Sequence, residues 1–130
     1  MMSDMSTEHT TSPPDSLASL QARLREFARA RDWEQYHSPK NLAMALIAEA
    51  AELVEHFQWL TEEQAANLPA AKKDQVALEM ADILIYLLRC ADRLEVDLLD
   101  AAERKLRINE RRYPVDKVKG DQRRASEYED

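Results

Sequence analysis

The sequence contains a single glycine, Gly120, in 130 residues, and this scarcity excludes one large class of nucleotide-binding site. Walker-type and dinucleotide-binding loops need several glycines, because the backbone must approach the phosphates closely. Any phosphate chemistry in this protein must therefore depend on side chains and metal. The single cysteine, Cys90, excludes an internal disulfide, and its place on an apolar helical stripe is typical of a small buried side chain.

The sequence also lacks an apolar run long enough to span a bilayer, and its first residues lack the apolar core of a signal peptide. These absences favour a cytoplasmic protein with no membrane partner. The net charge of −7 argues against a nucleic-acid polymer as the main partner. A content of 45% hydrophobic and 33% charged residues suits one domain with a modest core.

Apolar residues recur at helical spacing, and no stretch alternates as a strand would, so we predict an all-α fold of four helices. Asp15 or Ser16 can cap the first helix, Ser38-Pro39 begins the second, and Asp97 can cap the fourth. The first predicted helix ends near Arg31, the second extends from about Pro39 to Trp59 and the third from about Lys72 to Leu94. The fourth ends near Tyr113, where Pro114 stops it.

The helical region corresponds to one domain over residues 15–114. Residues 1–14 are predicted to be a disordered tail and residues 115–130 a mobile, charged tail. The second and third helices are apolar nearly all round, and a four-helix unit of this size cannot bury such faces alone. We therefore expect a four-helix bundle-like protomer that assembles into a homo-oligomer. The apolar residues away from the main stripes are Ile47, Val54, Leu78, Ile85 and Leu88.

Two helices carry paired carboxylates beside their apolar stripes. Glu49 and Glu52 are three residues apart on the second helix, as are Glu79 and Asp82 on the third, so each pair has Cβ atoms about 5–6 Å apart. If these helices pack through their stripes, the four acids converge and repel unless a divalent cation neutralises them. Oxygen ligands without thiolates suit Mg²⁺ or Mn²⁺. Acidic pairs are also common on solvated helix faces, so periodicity leaves both interpretations open.

The motifs Glu49-x-x-Glu52 and Glu79-x-x-Asp82 resemble those of the all-α nucleoside triphosphate pyrophosphohydrolases, the MazG-like family. "RDWEQYHSPKNLAMAL", "FQW", "DILIYLL" and "NERRYP" resemble its dCTP pyrophosphatase branch, and the likeness covers about residues 17–114. It implies hydrolysis of a nucleoside triphosphate, such as dCTP or a modified cytosine nucleotide, to monophosphate and pyrophosphate. It also implies Mg²⁺ held by the four carboxylates as catalytic residues, and a homotetramer that controls or cleans nucleotide pools.

The resemblance further implies a substrate site with an aromatic base pocket and polar groups that meet base, sugar or phosphate. Packing in a core or interface is the alternative for both tryptophans. Two departures from the pattern, Ala48 in place of an acid and Leu24 in place of a polar residue, leave open the number of metal ions and the base preference. The matching residues are Trp33, His37, Asn41, Trp59, Tyr86, Lys105, Asn109 and Arg112.

Two other functions compete with this interpretation. A di-iron carboxylate bundle needs Glu-x-x-His motifs on two helices, whereas this sequence offers only Glu52-x-x-x-His56 on one helix. A non-catalytic helical oligomerisation module explains the apolar faces, but it does not explain two acidic pairs beside the apolar stripes.

Overall fold

The computed structural model describes residues 13–122 and 127, and within them helices are present and strands are not. The all-α prediction is therefore confirmed for this part of the chain. None of the described helices has the length and apolar character needed to cross a membrane. Of the predicted tails, residues 1–12, 123–126 and 128–130 lie outside the described residues. The helices are α1 (Leu17–Ala30), α2 (Pro39–Glu55), α3 (Glu62–Ala66), α4 (Ala70–Arg93), α5 (Leu98–Arg112) and α6 (Val115–Val118).

The predicted helix starts agree with the structure, because each N-cap side chain accepts a hydrogen bond from the first helical turn. These caps are Ser16, Ser38 and Asp97. The predicted ends of α1, α4 and α5 lie within one residue of the structure, and only the end of α2 differs. α2 ends at Glu55, before the predicted Trp59, and the chain then continues in turns.

Two short helices lie where none was predicted. α3 occupies the segment interpreted as a connection, and it begins with a capping box in which Thr61 and Gln64 bond each other's backbone N–H groups. α6 lies within the range predicted as the C-terminal tail, directly after Pro114.

The chain forms two compact units that divide between Leu94 and Glu95. In the first unit, α4 packs extensively along α2 and also contacts α1. The buried core of this unit consists of Ala28, Leu42, Val76, Leu88 and Ala91. Leu88 was predicted to face a partner chain, but only 1% of it is exposed. The prediction assumed one buried face on α4, whereas α4 packs against two helices.

Other apolar side chains of α2 and α4 remain exposed within a single chain. Ile47 is 66% exposed, Val54 57% and Leu78 63%, as the prediction of faces left uncovered by one protomer required. Exposed surfaces with several large apolar side chains are uncommon in monomeric proteins, and they usually mark sites of interaction with another molecule.

The second unit consists of α5 and α6. Exposed ion pairs lie along α5, with Arg104 Nε at 3.0 Å from an Asp100 oxygen and Arg107 Nη1 at 3.5 Å from a Glu103 oxygen. Pairs of this kind, four residues apart on a solvated helix, each contribute about 0.3–0.5 kcal/mol.

Candidate metal centre and adjoining cavity

Three carboxylates from two helices meet in the first unit. Glu49 from α2 and Glu79 and Asp82 from α4 each offer an oxygen, and these oxygens lie within 4.8 Å of one another. Glu49 and Glu79 are half-buried and Asp82 is exposed, so the group lies at the edge of the α2–α4 interface. The convergence follows from the i, i+3 spacing on α4 and the packing of α2 along it.

Two oxygens of this group are buried without compensation. Neither Oε2 of Glu49 nor Oε2 of Glu79 has a hydrogen-bond partner among the described residues. A buried acceptor left unpaired costs about 1–3 kcal/mol, and more when it is charged. Carboxylate oxygens arranged in this way fit a hard divalent cation, which would satisfy them and offset their repulsion.

The electrostatics of Glu49 agree with this interpretation. Burial, followed by hydrogen bonding to and repulsion by Glu52, raises the pKa of Glu49 from 4.5 to about 7, and Asp82 and Glu79 add to the effect. Without a cation, Glu49 is therefore protonated in a large fraction of molecules near neutral pH. A cation would compete with that proton for the same oxygens.

The fourth predicted ligand, Glu52, is placed differently from the other three. It is exposed and does not belong to the group whose oxygens lie within 4.8 Å. It nevertheless helps to raise the pKa of Glu49 through hydrogen bonding and repulsion, so it adjoins the group. The structure thus brings three of the predicted ligands together and places Glu52 beside them.

His56 also lies next to the acids. Its Nε2 is 3.7 Å from Oε1 of Glu79, and its side chain is only 16% exposed. The sequence of α4 contains no histidine, so the helix that faces His56 carries no Glu-x-x-His motif. This arrangement does not match the ligand pattern of di-iron bundles.

A cavity of about 310 Å³ adjoins the acidic group. Asp82 belongs to both, since it contributes an oxygen to the carboxylate cluster and also lines the cavity. The remaining lining is mostly apolar and aromatic, which is the usual character of a pocket for a small ligand. It consists of Leu24, Phe27, Ala28, Trp33, His37, Ile85, Tyr86 and Arg89.

The aromatic wall of the cavity depends on how α1 ends. Asp32 adopts a left-handed conformation with φ of 55°, its N–H donates to Arg29 and the N–H of Trp33 donates to Ala28. This pair of bonds is a Schellman motif, which reverses the chain sharply at a helix C-terminus. The reversal returns Trp33 to α1, where its ring meets Phe27 edge-on at 5.7 Å and His37 at 6.4 Å.

Two of the predicted substrate residues of the first unit lie elsewhere. The amide of Asn41 donates to the Tyr36 carbonyl at 3.2 Å, so it supports the loop before α2. Trp59 is 86% exposed in the turns after α2. Within the described residues, the cavity lining includes Trp33, His37 and Tyr86 but not these two.

The other predicted substrate residues belong to the second unit. Lys105 is exposed and Asn109 is half-buried, and they lie one turn apart on α5. The guanidinium of Arg112 lies 5.9 Å from the ring of Tyr113, at the end of the same helix. Lys105, Asn109 and Arg112 therefore all lie on α5.

Sequence reasoning missed Arg89, which is 2% exposed, the most buried polar residue in the described part of the chain, and which lines the cavity. Its hydrogen-bond partners are Asp92 and His37, which lies 52 positions away in sequence. Asp92 also accepts a hydrogen bond from Arg25. One signal was available, because an arginine directly follows the apolar run "ILIYLL" of α4. A charged residue at the end of such a run is rarely buried without partners.

Comparison with known proteins places this arrangement in a family. Residues 45–128 match the sequence profile of the MazG-like family, and the chain belongs to that family. Human dCTP pyrophosphatase 1 is 41% identical over 118 residues, which cover 89% of this chain and 69% of that protein. The mouse dCTP pyrophosphatase 1 is 41% identical over 111 residues, covering 84% of this chain and 65% of its own length.

A solved structure agrees with these relatives. The crystal structure of a pyrophosphatase from Archaeoglobus fulgidus matches with a TM-score of 0.73 and 40% sequence identity, covering 80% of this chain and 97% of that chain. Together the relatives indicate a nucleotide pyrophosphohydrolase, as the resemblance of the acidic motifs implied.

Proposed function

We propose that the protein is a Mg²⁺-dependent pyrophosphohydrolase that converts dCTP, or a modified cytosine deoxynucleoside triphosphate, to the monophosphate and pyrophosphate. One observation carries the proposal. Asp82 belongs both to a carboxylate cluster suited to a cation and to an aromatic cavity suited to a base. The names of the curated relatives support the choice of dCTP.

In this proposal the cavity binds the base and the acidic group binds the triphosphate through the cation. Trp33 and Tyr86 offer ring faces and edges on which a pyrimidine can stack, and Ile85 adds an apolar wall. With the base there, the triphosphate extends past Asp82 toward Glu49 and Glu79. Lys105, Asn109 and Arg112 are the residues proposed to meet phosphate or sugar.

The chain's carboxylates would hold the cation, and Mn²⁺ should substitute for Mg²⁺ because it accepts the same oxygen ligands. The proposed ligands are Glu49, Glu79, Asp82 and the adjoining Glu52. Bound there, the cation supplies neutralisation of the phosphate charge and acidification of a water. The water oxygen bonds to the α-phosphorus, the bridging P–O bond breaks, and its electrons leave on pyrophosphate. One carboxylate of the set can take the proton of the water.

We further propose that the protein is a cytoplasmic homo-oligomer, for which a tetramer is the expected order. The apolar faces of α2 and α4 support association, since Ile47 and Leu78 are each more than half exposed in one chain. Trp59, at 86% exposure, can contribute to a site or an interface only when another surface covers it. We also propose that residues 15–114 form one domain.

The same exposed faces favour a second candidate, a non-catalytic oligomerisation module. That function would account for Ile47, Val54 and Leu78. It gives no reason to bury unpaired oxygens of Glu49 and Glu79, which in the described part of the chain meet no donor.

A product-resolved assay tests the proposal. Purified protein is incubated with Mg²⁺ and each canonical and modified deoxynucleoside triphosphate, and the products are separated. We expect dCMP and pyrophosphate from dCTP, and loss of at least about 100-fold in rate for Glu49→Gln and Asp82→Asn. Glu55→Gln is the matched control, because Glu55 is exposed at the end of the same helix. Release of orthophosphate without pyrophosphate would contradict the reaction type.

A further inference from the structure

Arg89 is a buried arginine whose side chain is only partly satisfied. Its Nε donates to Nδ1 of His37 at 3.3 Å, and its Nη1 donates to Oδ2 of Asp92 at 2.9 Å. Its third nitrogen, Nη2, is buried and has no hydrogen-bond partner among the described residues. A guanidinium has donors and no acceptor, so Nη2 can be satisfied only by an acceptor atom.

The residue that carries this unpaired donor also lines the cavity. Arg89 lines it together with Leu24, Phe27 and Ile85, which offer no hydrogen-bonding groups. A buried donor without an acceptor costs about as much as a lost hydrogen bond to a charged group. A ligand that places an acceptor atom against Nη2 recovers that cost, whereas a ligand that places a donor there adds repulsion.

The guanidinium is also held in a fixed orientation. Asp92, which accepts from Arg89, accepts a second time from Nε of Arg25 at 3.0 Å. Hydrogen bonding to Arg25, reinforced by the charge of Arg89, keeps the pKa of Asp92 below its usual value, so it remains an anion. An arginine anchored by two of its nitrogens presents the third with little loss of rotamer freedom on binding.

His37 completes the arrangement on the other side. Burial, with the nearby charges of Arg89 and Arg93, lowers the pKa of His37 below its ordinary value. The imidazole is therefore neutral at neutral pH, and its Nδ1 accepts the proton of Arg89 Nε. Of the groups that line the cavity, the guanidinium of Arg89 is thus the cationic donor.

We propose that Arg89 is a specificity-determining residue, which donates from Nη2 to the base and selects a pyrimidine that presents adjacent acceptors at O2 and N3. Cytosine has this pair of acceptors. Uracil and thymine carry an N3–H donor beside O2, so their N3–H would face the N–H donor of Arg89 Nη2. The proposal rests on the proposed function, because it requires that the base occupy this cavity.

The test measures base preference by equilibrium binding and without catalysis. Wild type, Arg89→Met and Arg25→Met are titrated calorimetrically with dCMP and with dUMP in the absence of metal. The two nucleotides share sugar and phosphate and differ in the base edge. We expect wild type to bind dCMP at least about tenfold more tightly than dUMP. Arg89→Met should lose that preference and bind both nucleotides about equally.

Arg25→Met is the matched control. It removes the other partner of Asp92, but Arg25 does not belong to the described lining of the cavity. We expect it to retain the preference for dCMP. Equal loss in this variant would assign the preference to the integrity of the ion-pair network and overturn the role of Nη2. So would a wild type without preference, or an Arg89→Met protein that keeps it.

Folding is checked by far-ultraviolet circular dichroism of each variant. If Arg89→Met fails to fold, Arg89→Met/Asp92→Asn replaces it, since the amide removes the carboxylate charge that Arg89 would leave behind. Retention of the dCMP preference in this double variant would contradict the proposal, and its loss would support it. Pyrophosphate release from dCTP is assayed on the same preparations. A wild type that prefers dCMP but releases no pyrophosphate contradicts the proposed reaction and leaves the role of Arg89 standing.

Discussion

Glu49 on α2 and Glu79 on α4 each bury one carboxylate oxygen that meets no hydrogen-bond donor within residues 13–122, and the two side chains lie within 4.8 Å through their ligand atoms. Unpaired buried oxygens of this kind destabilise the metal-free protein. The properties of the protein should therefore depend strongly on what binds between these residues.

Divalent metal should stabilise the folded protein. A ligand that binds only the native state adds about 2.7 kcal/mol to the free energy of unfolding at a concentration of 100 times its dissociation constant. We expect Mg²⁺ to raise the melting temperature of wild type in differential scanning calorimetry, and Mn²⁺ to do the same. Glu49→Gln and Asp82→Asn should abolish the shift, whereas Glu55→Gln should keep it. An unchanged melting temperature for wild type at millimolar metal would contradict the metal centre.

The metal-free protein should become less stable as the pH rises. Glu49 has a pKa of about 7 in the folded protein and 4.5 as its ordinary value, so between these limits the folded state holds a proton that the unfolded chain has released. The contribution of Glu49 is fully present below pH 4.5 and is lost as the pH rises through about 7, at no more than about 1.4 kcal/mol per pH unit.

Urea unfolding in the presence of a chelator, at several pH values across this window, measures the effect. Subtracting the curve of Glu49→Gln removes the contribution of other groups, since glutamine carries no proton to exchange. Parallel pH profiles for wild type and Glu49→Gln would show that Glu49 does not titrate in this range. With Mg²⁺ present, the stabilisation by metal should grow toward pH 7, because the cation and the proton compete.

Placing a charge on the apolar face of α4 should break the oligomer. Leu78 is 63% exposed in one chain, and a carboxylate buried there against a partner would lose its hydration. We expect wild type to sediment as a multiple of 15.0 kDa and Leu78→Glu to sediment as a smaller species. Lys73→Gln lowers the net charge by the same amount at an exposed position on another side of α4 and should leave the mass unchanged. A monomeric wild type would refute the prediction.

Glycine at position 95 should stabilise the protein. Glu95 follows the end of α4 with φ of 57°, in the left-handed region that side chains with a Cβ adopt at a cost. We expect Glu95→Gly to raise the free energy of unfolding by about 0.5–1 kcal/mol, after allowance for the greater entropy of glycine in the unfolded chain. Glu95→Ala retains the Cβ and should bring no such gain. Equal effects of the two variants in urea unfolding would mean that backbone strain is not the cause.

Local chemistry made part of the fold predictable. The caps at Ser16, Ser38 and Asp97 bond N–H groups only three residues away, so the sequence contains both partners of each bond. The end of α2 was predicted too late, since apolar spacing continues through the turns up to Trp59 without a breaking residue. The capping box of α3 was also present in the sequence, but a helix of five residues offers too short a pattern to be noticed.

The candidate site also contains a part that the sequence could predict and a part that it could not. Glu49, Glu79 and Asp82 could be brought together by reasoning, because helical periodicity and one packed pair of helices suffice. The environment of Arg89 could not, since its contacts come from His37, 52 residues away, and from an ion pair that reaches Arg25, 67 residues from Asp92. Such contacts depend on the packing of α1 against α4, which periodicity does not specify.

The buried oxygens of Glu49 and Glu79 also determine how this sequence can drift over generations. Replacing Glu49 by glutamine would relieve repulsion in the metal-free fold and at the same time remove a proposed ligand of the cation. A mutant library screened only for thermal resistance, with a chelator present, should therefore lose the acid at position 49 early. A screen that also demands catalysis should retain it in nearly every survivor.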